Sequence, residues 1–262
     1  SQNVSRILFL LVLFFTYYVW VILGEKLKIS YKKINPIHYD LVIKNGLIYD
    51  GSGELPFKGD IGIIDDKIQY VGKSVYMVSD KTIFANGKVV SPGFINMLSW
   101  AVDDLIIDGK SQGDIRQGVT LEVFGEGVSM GPLNNEMQKD RSANGLGVGE
   151  VDYNLDWVTL GDYLQFLEDK GVSTNIASFV GATTLRVHQV GYDNRPPSEI
   201  ELDSMKALVR QAMQEGALGI GSSLIYAPAF YASTEELIEL CKVASEYGGC
   251  LLYTSDAADE GL

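Results

Sequence analysis

Two apolar segments separated by a short acidic link constrain the fold of this chain more than any other feature. The first occupies residues 88–100 and contains the pair Pro92-Gly93, and the second occupies residues 119–127. Between them, Ser111 is placed to begin a short helix and Gly118 to end the connection. A strand, a helix and a second strand form the start of a βαβ unit, whose polar residues collect at the carboxyl ends of the strands. The sequence therefore predicts a functional site where these two segments end.

The chain repeats this alternation of strand and helix after the first unit. Helices are predicted after the capping residues Thr159, Ser198 and Ser233, and strands are predicted at 175–180 and 217–224. Parallel strands with intervening helices favour a (β/α) barrel. Four such units are visible, whereas a closed barrel needs about eight. We therefore predict an α/β fold with an incomplete TIM-type (β/α) barrel over residues 93–249.

Short strands with turn residues between them fill residues 38–92. The pairs Asn45-Gly46, Asp65-Asp66 and Asn86-Gly87 separate alternating or wholly apolar runs. Such pairs are typical of hairpin turns. We therefore predict a small β domain in front of the barrel, with these pairs at its hairpin turns.

The amino-terminal segment, residues 1–37, carries an apolar stretch at 7–23 that nearly reaches the length of a membrane-spanning helix. It is predicted to be a hydrophobic helix that either anchors the protein in a membrane or serves as a cleaved export signal. The sequence around Gly24 lacks a small-x-small cleavage pattern, which favours an anchor. The lysines that follow would keep the rest of the chain in the cytoplasm, but the side of the membrane stays open because residues before Ser1 would change the count.

The charge of the chain excludes one class of partner. It has 34 acidic and 21 basic residues and a formal net charge of −13. Binding to the phosphates of nucleic acid requires clustered Lys and Arg. We therefore expect no nucleic-acid partner and interpret the acidic excess as a solvated surface.

Two glutamates stand out in the second apolar segment. Glu122 and Glu126 fall on the same side of the predicted strand, because side chains alternate with a period of two. Buried carboxylates are costly without a partner. The two glutamates therefore either hold a metal ion or pair with Arg116 or Arg186. Glu126, at the tip of the strand, is the better candidate for an oxygen ligand.

The chain has two histidines, the residue type most often found at metal-dependent hydrolytic sites. His38 precedes the small β domain, where a surface role is expected. His188 is predicted to lie in a loop near the carboxyl end of a strand. A single imidazole there is expected to be a hydrogen-bonded loop residue rather than a metal ligand.

Three motifs carry a resemblance to known enzymes: PGFI at 92–95, QGVT at 117–120 and GATTLR at 181–186. Over roughly residues 39–249 the chain resembles the amino-terminal part of the N-acyl-D-amino-acid deacylase (D-aminoacylase) branch of the amidohydrolase superfamily. This resemblance implies a hydrolase acting on carbon-nitrogen bonds other than peptide bonds, with Zn²⁺ as cofactor and a small N-acyl amino acid as substrate. It also implies that the small β domain is β-sandwich-like and that strands from the far carboxyl end complete it, so that an exposed sheet edge is expected here.

The resemblance brings some site residues and omits others. Members of this family carry His-x-His after PGFID, but Leu98 and Trp100 occupy those positions here, so that two implied metal ligands are absent. Glu126 aligns with the Cys that binds zinc in related deacylases. Arg186 closes the GATTLR motif, and Tyr226 lies in a segment similar to one that contributes a Tyr to the substrate carboxylate. Both are therefore predicted to bind substrate, while no catalytic residue is assigned.

The last residues, 250–262, are predicted to be a non-native tail. Their sequence can be back-translated into one that resembles a transposon-derived sequencing adapter, and the family's Tyr-x-x-His-x-Arg strand is missing at this point. The alternative is a natural, divergent strand followed by an acidic tail.

Two functional hypotheses follow. In the first, the chain is the amino-terminal part of a membrane-tethered or exported deacylase, with Glu126 as one metal ligand and the others encoded downstream. In the second, the subgroup has lost its metal chemistry, and Leu98 and Trp100 build an apolar pocket that binds acylated peptides or cell-wall fragments without turnover. In either case we expect this chain alone to bind no zinc and to be inactive.

Overall fold

The structure is a computed structural model that describes residues 37–144 and 157–253. It divides into two compact units, one ending at Pro92 and one beginning at Gly93, which are described separately below. The predicted hydrophobic helix at 7–23 and residues 254–262 of the predicted tail lie outside the described residues. Within the described ranges, no helix is both long and apolar enough to cross a membrane.

The first unit is a single mixed sheet of five strands. Their bounds are β1 His38–Ile48, β2 Phe57–Ile64, β3 Lys67–Gly72, β4 Val78–Phe84 and β5 Val89–Val90. The order is β3-β2-β1-β4, with β5 also paired to β1. Strands β1, β2 and β3 pair antiparallel, whereas β4 and β5 run parallel to β1. The described part of this unit therefore forms one layer, not the two packed layers of a sandwich.

The three predicted hairpin turns have three different outcomes. Asp65-Asp66 joins β2 to β3, as predicted. Asn45-Gly46 lies inside β1, where the pairing with β2 shifts register, so the hairpin prediction is wrong there. Asn45 has a φ of 60° and donates its backbone N–H to Asp60 Oδ1 at 2.9 Å, because a bulge accepts the same backbone conformation as a turn. Asn86-Gly87 forms a turn between β4 and β5, but both strands pair in parallel with β1, so this turn does not make a hairpin.

The sheet has a small core and two outer strands with apolar side chains in solvent. Tyr39, Val42 and Met77 pack together as the buried cluster. Ile68 on β3 and Phe84 on β4, the outermost strands of the described sheet, are both exposed. This arrangement agrees with the exposed sheet edge expected from the sequence.

The second unit alternates strands and helices. Its elements are β6 Phe94–Asn96, α1 Asp104–Ile107, α2 Gln112–Ile115, β7 Val119–Phe124, α3 Asn135–Asn144, α4 Leu160–Lys170, β8 Asn175–Ser178, β9 Val180–Gly181, α5 Ala182–Gln189, α6 Glu199–Gln214, β10 Gly219–Ser222, a 3₁₀ turn Ala229–Tyr231, α7 Thr234–Glu246 and β11 Cys250–Tyr253. The strands form two parallel sheets, in the orders β6-β7-β8 and β9-β10-β11.

A bent strand connects the two parallel sheets. Only Phe179 separates β8 from β9, and its N–H donates to the carbonyl of Phe124 at 2.9 Å. On the other side, the N–H of Leu218 donates to the carbonyl of Ser178 at 2.9 Å. The described strands therefore follow one another in parallel from β6 to β11, without closing into a barrel. Cys250–Tyr253, the first residues of the predicted tail, pair in parallel with β10, and their origin stays a prediction.

Local caps fix where the long helices begin. Thr159 and Asp162 form a reciprocal capping box at α4, and Ser198 and Glu201 form another at α6, as predicted. Each cap satisfies backbone N–H groups that have no partner within the helix, and contributes about 1 kcal/mol. Ser233 accepts the N–H of Glu236 at α7, but the side chain of Glu236 points elsewhere. The carboxylate of Glu236 binds Arg186 instead.

The core of this unit lies between the helices and the parallel strands. Its fully buried side chains include Trp157, Tyr163, Leu185, Met205 and Ile220. Trp157 satisfies its indole N–H by donating to the carbonyl of Met130 at 2.8 Å. Burial on this scale fixes the strand ends where the predicted site residues lie.

Candidate functional site at the carboxyl ends of the strands

Four glycines hold Glu126 at the ends of three strands. Gly125 and Gly127, on either side of Glu126, have φ values of 94° and 74°, which residues other than glycine rarely adopt. A Cβ built on Gly221 would lie 1.9 Å from the carbonyl oxygen of Gly125, and one on Gly181 would lie 2.4 Å from that of Gly127. The loop after β7 therefore packs directly on the backbones of β9 and β10.

The carboxyl group of Glu126 is partly buried. Burial raises its pKa, because a less polar surrounding disfavours the charged form. Neither of the two arginine pairs considered from the sequence is formed among the described residues. Arg116 donates instead to Gln112, and Arg186 binds Glu236. The metal-ligand assignment for Glu126 stays a prediction.

Glu122 is the centre of a buried cluster of hydroxyl groups. Its side chain is 0% exposed. Ser99 donates to Oε2 at 2.7 Å, while Ser111 and Thr174 donate to Oε1 at 2.8 Å and 2.9 Å. Among the described residues Glu122 pairs with neither of the two arginines considered from the sequence, because three neutral hydroxyls stabilise its carboxyl group instead. The metal alternative stays a prediction. The short helix begins after Ser111, as predicted, but the Ser111 side chain makes no capping bond, because its hydroxyl donates to Glu122.

Arg186 already binds a carboxylate of this chain. Its guanidinium is buried and forms an ion pair with Glu236, 2.6 Å from Nη1 to Oε2. Nη2 donates to the carbonyls of Asp193 and Arg195. Burial raises the pKa of Glu236, and the nearby guanidinium opposes this shift. The geometry favours a structural role over the predicted contact with substrate, because the guanidinium is not exposed to a ligand.

The GATTLR motif begins helix α5, which extends to the position where a loop was predicted for His188. Ala182 and Leu185 are buried at helical spacing, and α5 continues through His188 to Gln189. His188 is half-buried, and burial lowers the pKa of its imidazole. Its Nδ1 lies 2.9 Å from Gln189 Nε2. The loop position predicted for His188 is therefore wrong, although its predicted hydrogen bonding is confirmed.

Tyr226 lies in the connection between β10 and the 3₁₀ turn. Its side chain is 71% exposed, and its carbonyl accepts the N–H of Phe230 at 3.0 Å. Gly127, on the loop of Glu126, lies against Ser223 at the start of the same connection. The backbone connection that carries Tyr226 therefore begins beside the Glu126 loop, and the predicted substrate contact stays open to test.

A cavity adjoins the position where the family carries His-x-His. Trp100 lines a cavity of about 290 Å³, whereas Leu98 does not. The other lining residues come from the segment after β6 and from the loop after β7: Ser99, Val102, Asp103, Gly125, Val128, Ser129 and Met130. Leu98 and Trp100 offer no metal-binding atom, so neither position supplies the ligand that the resemblance implies.

The donor groups of the described residues do not make a zinc site. Within these residues no group of three or more His, Cys, Asp or Glu side chains is arranged to hold a metal ion. His38 lies in the first unit, where its Nε2 is 2.7 Å from Asp80 Oδ1 on an exposed surface. Glu126 contributes one carboxylate. One ligand does not satisfy the three or four that zinc takes from a protein.

Comparison with known proteins identifies the relatives of this chain. A D-aminoacylase from Alcaligenes xylosoxydans xylosoxydans is 31% identical over 224 residues, which are 85% of this chain and 45% of that protein. A solved D-aminoacylase structure, described as defining a novel subset of amidohydrolases, matches with a TM-score of 0.71 at 31% identity, over 81% of this chain and 44% of that one. The chain is a homologue of the D-aminoacylases. The resemblance predicted from the motifs is therefore confirmed.

Two further relatives extend the comparison of this D-aminoacylase homologue. An N-acyl-D-aspartate deacylase from the same organism is 29% identical over 86% of this chain and 44% of that protein. An N-acyl-D-glutamate deacylase from Bordetella bronchiseptica, solved with zinc and a phosphonate inhibitor, matches with a TM-score of 0.72 at 26% identity, over 83% of this chain and 45% of that one. No family model matches the chain. This homologue spans less than half the length of these relatives.

Proposed function

We propose that the complete protein hydrolyses the amide bond of N-acyl-D-amino acids, and that this chain forms the first part of its (β/α) barrel. The identity to a D-aminoacylase over 85% of the chain carries the proposal. Continuous parallel pairing from β6 to β11 supports an incomplete barrel, since neighbouring strands of a TIM barrel pair in this way. The complete protein's activity remains a proposal because the chain spans only part of its relatives.

The proposal gives different weights to the predicted site residues. Tyr226 is exposed and is proposed to bind the substrate with its hydroxyl. Glu126 is proposed as a metal ligand in the complete protein, where further ligands are needed that the described residues do not supply. Arg186 is reassigned to hold Glu236 and the nearby carbonyls in place.

The metal-free binding protein considered from the sequence gains no support from the relatives. Those relatives are named as a D-aminoacylase and as N-acyl-D-aspartate and N-acyl-D-glutamate deacylases. A D-aminoacylase of solved structure is described as having a binuclear metal centre with activation by one metal. An enzyme is therefore the better-supported class.

The place of the protein in the cell is a separate proposal. The apolar stretch at 7–23 is proposed to anchor the protein in a membrane or to direct its export. Separation of membrane and soluble fractions, with and without that stretch, tests this assignment. Equal distribution of both forms would contradict it.

The experiment begins with the uninterrupted reading frame. The complete protein, supplied with zinc, should release free amino acid from N-acetyl-D-leucine faster than from the L form. E126Q should reduce this rate, whereas E168Q, which changes an exposed glutamate of α4, should leave it unchanged. Absence of hydrolysis by the correctly folded, zinc-supplied protein over a panel of N-acyl-D-amino acids would refute the proposed function.

A further inference from the structure

The cavity beside Trp100 presents an apolar wall close to the proposed substrate site. Its lining includes the apolar residues Trp100, Val102, Val128 and Met130. Trp100 is 57% exposed, although a large aromatic side chain is normally buried. An exposed aromatic at the edge of a concave apolar wall is a common feature of ligand sites.

The polar groups of the wall are already satisfied by the protein. Ser99 donates its hydroxyl to Glu122 and accepts the N–H of Ala101. Ser129 donates to the carbonyl of Gly131 and accepts the N–H of Gly181. These hydroxyls are therefore occupied, and a ligand gains little from polar atoms placed against them.

Two backbone carbonyls of the wall also have partners within the protein. Val102 accepts a hydrogen bond from the hydroxyl of Tyr163 at 3.1 Å, and Met130 accepts one from the indole of Trp157 at 2.8 Å. The wall therefore offers a ligand mainly apolar surface. Contact with carbon favours an apolar group, whose transfer from water is favourable without any polar partner.

The acidic residue of the wall is held by the protein itself. Asp103 is 3% exposed and has an interaction of its own within the protein. Gly125, which also lines the cavity, is the neighbour of Glu126. The cavity therefore suits the uncharged end of a substrate whose amide lies near the Glu126 loop.

We propose that this cavity binds the acyl chain of the N-acyl amino acid substrate, with Trp100 as the wall that sets the preferred chain length. The inference rests on the proposed function and adds the class of acyl group. A volume of about 290 Å³ lies at the small end of ligand cavities, which suits a short or medium linear chain.

The structure also shows how Trp100 is held at the wall. The preceding residue, Ser99, is fixed twice, since its hydroxyl binds Glu122 at 2.7 Å and its N–H donates to the carbonyl of Val123 at 2.9 Å. Glu122 is thus a positioning residue for the wall. It does not reach the ligand itself.

The test is a binding series on the full 262-residue chain held in lipid nanodiscs, with empty nanodiscs as the blank. The ligands are N-acetyl-, N-butanoyl- and N-hexanoyl-D-leucine, measured by calorimetry. Each buried methylene is worth about 0.8 kcal/mol, or about fourfold in Kd. We expect Kd to fall by about that factor per methylene until the cavity is full. A Kd that does not change with chain length would overturn the proposal.

Variants and simpler ligands separate the cavity from other apolar surface. W100A should weaken N-hexanoyl-D-leucine at least fivefold while changing N-acetyl-D-leucine little. Y192A removes a comparably exposed aromatic of the second unit and should leave the series unchanged. Equal effects of the two variants would contradict the assignment, as would hexanoate binding as tightly as N-hexanoyl-D-leucine.

The outcome is distinguishable from that of the proposed function. An affinity that rises with the length of the acyl chain and depends on Trp100 supports the cavity assignment, even if the complete protein does not hydrolyse these compounds. If the complete protein hydrolyses all three compounds with the same kcat/KM, and W100A does not change these values, the proposed function is supported and the cavity assignment is overturned.

Discussion

Replacement of Glu122 by Gln tests whether three hydroxyl groups stabilise a fully buried carboxylate. The amide can keep its carbonyl at the position of Oε1, where Ser111 and Thr174 donate, but then its NH₂ faces Ser99. Ser99 accepts the N–H of Ala101 with one lone pair, so it could accept this NH₂ with the other only by turning its own hydroxyl hydrogen away from residue 122.

The expected loss of stability follows from these contacts. Two hydrogen bonds change from charged, worth about 1.5–3 kcal/mol each, to neutral, worth about 0.5–1.5 kcal/mol, and the third is lost. The neutral amide avoids part of the cost of burying a charge. We therefore expect the free energy of unfolding to fall by about 2–4 kcal/mol in E122Q. T174V, which removes one donor with little change of shape, should cost about 1.5–3 kcal/mol.

Urea unfolding followed by tryptophan fluorescence measures both changes, since the described tryptophans, Trp100 and Trp157, lie in the second unit. E168Q makes the same chemical change at an exposed site and should alter the free energy of unfolding by less than about 0.5 kcal/mol. If E122Q were as stable as E168Q, the hydroxyl cluster would not stabilise the fold, and the reasoning would fail.

Three further predictions concern the site. Burial raises the pKa of Glu126, so the folded state holds the proton more tightly than the unfolded chain and stability falls as the pH rises; the stability of E126Q relative to the wild type should increase as the pH rises above about 4, the ordinary pKa of a glutamate, by thermal unfolding at each pH. E236Q or R186M alone should destabilise by about 3–5 kcal/mol in urea unfolding, and the double variant by less than the sum of both. G221A should cost about 1–3 kcal/mol or prevent folding in the same assay, because its Cβ would meet a carbonyl oxygen at 1.9 Å, whereas G113A, with no neighbour within 4 Å, should fold normally.

The features that the sequence predicted well are those encoded by neighbouring residues. Thr159 and Asp162, like Ser198 and Glu201, are three positions apart, and the backbone of a helix start brings such pairs together regardless of the rest of the fold. Asn45-Gly46 shows the limit of this reasoning. A positive φ suits both a hairpin turn and a bulge, and only the partner strand decides between them.

The partners of the buried charges could not be read from local sequence. Glu122 meets hydroxyls that are 11, 23 and 52 residues away, and Arg186 meets a glutamate 50 residues away. Ser, Thr and Glu in these segments carry no periodic signal that would connect them. At α7 the Ser233 side chain caps the helix, but the Glu236 side chain does not complete a capping box, because it binds the distant Arg186.

The cavity was anticipated only in part. Trp100 could be named as an apolar wall because it replaces an implied ligand, but Leu98 proved not to line the same space. The other wall residues lie beyond the strand end at Gly125, in a loop whose course depends on contacts with β9 and β10. Loop geometry of this kind follows from packing between distant segments, so spacing along the chain does not reveal it.

The close approach of bare backbones around Glu126 has a consequence for how this protein can diversify. A methyl group on Gly125 or Gly221 would meet a backbone carbonyl oxygen, so the main chain that carries Glu126 has little freedom to move. Adaptation to new compounds is then expected from exposed lining side chains such as Trp100 rather than from Met130, which is buried in the core.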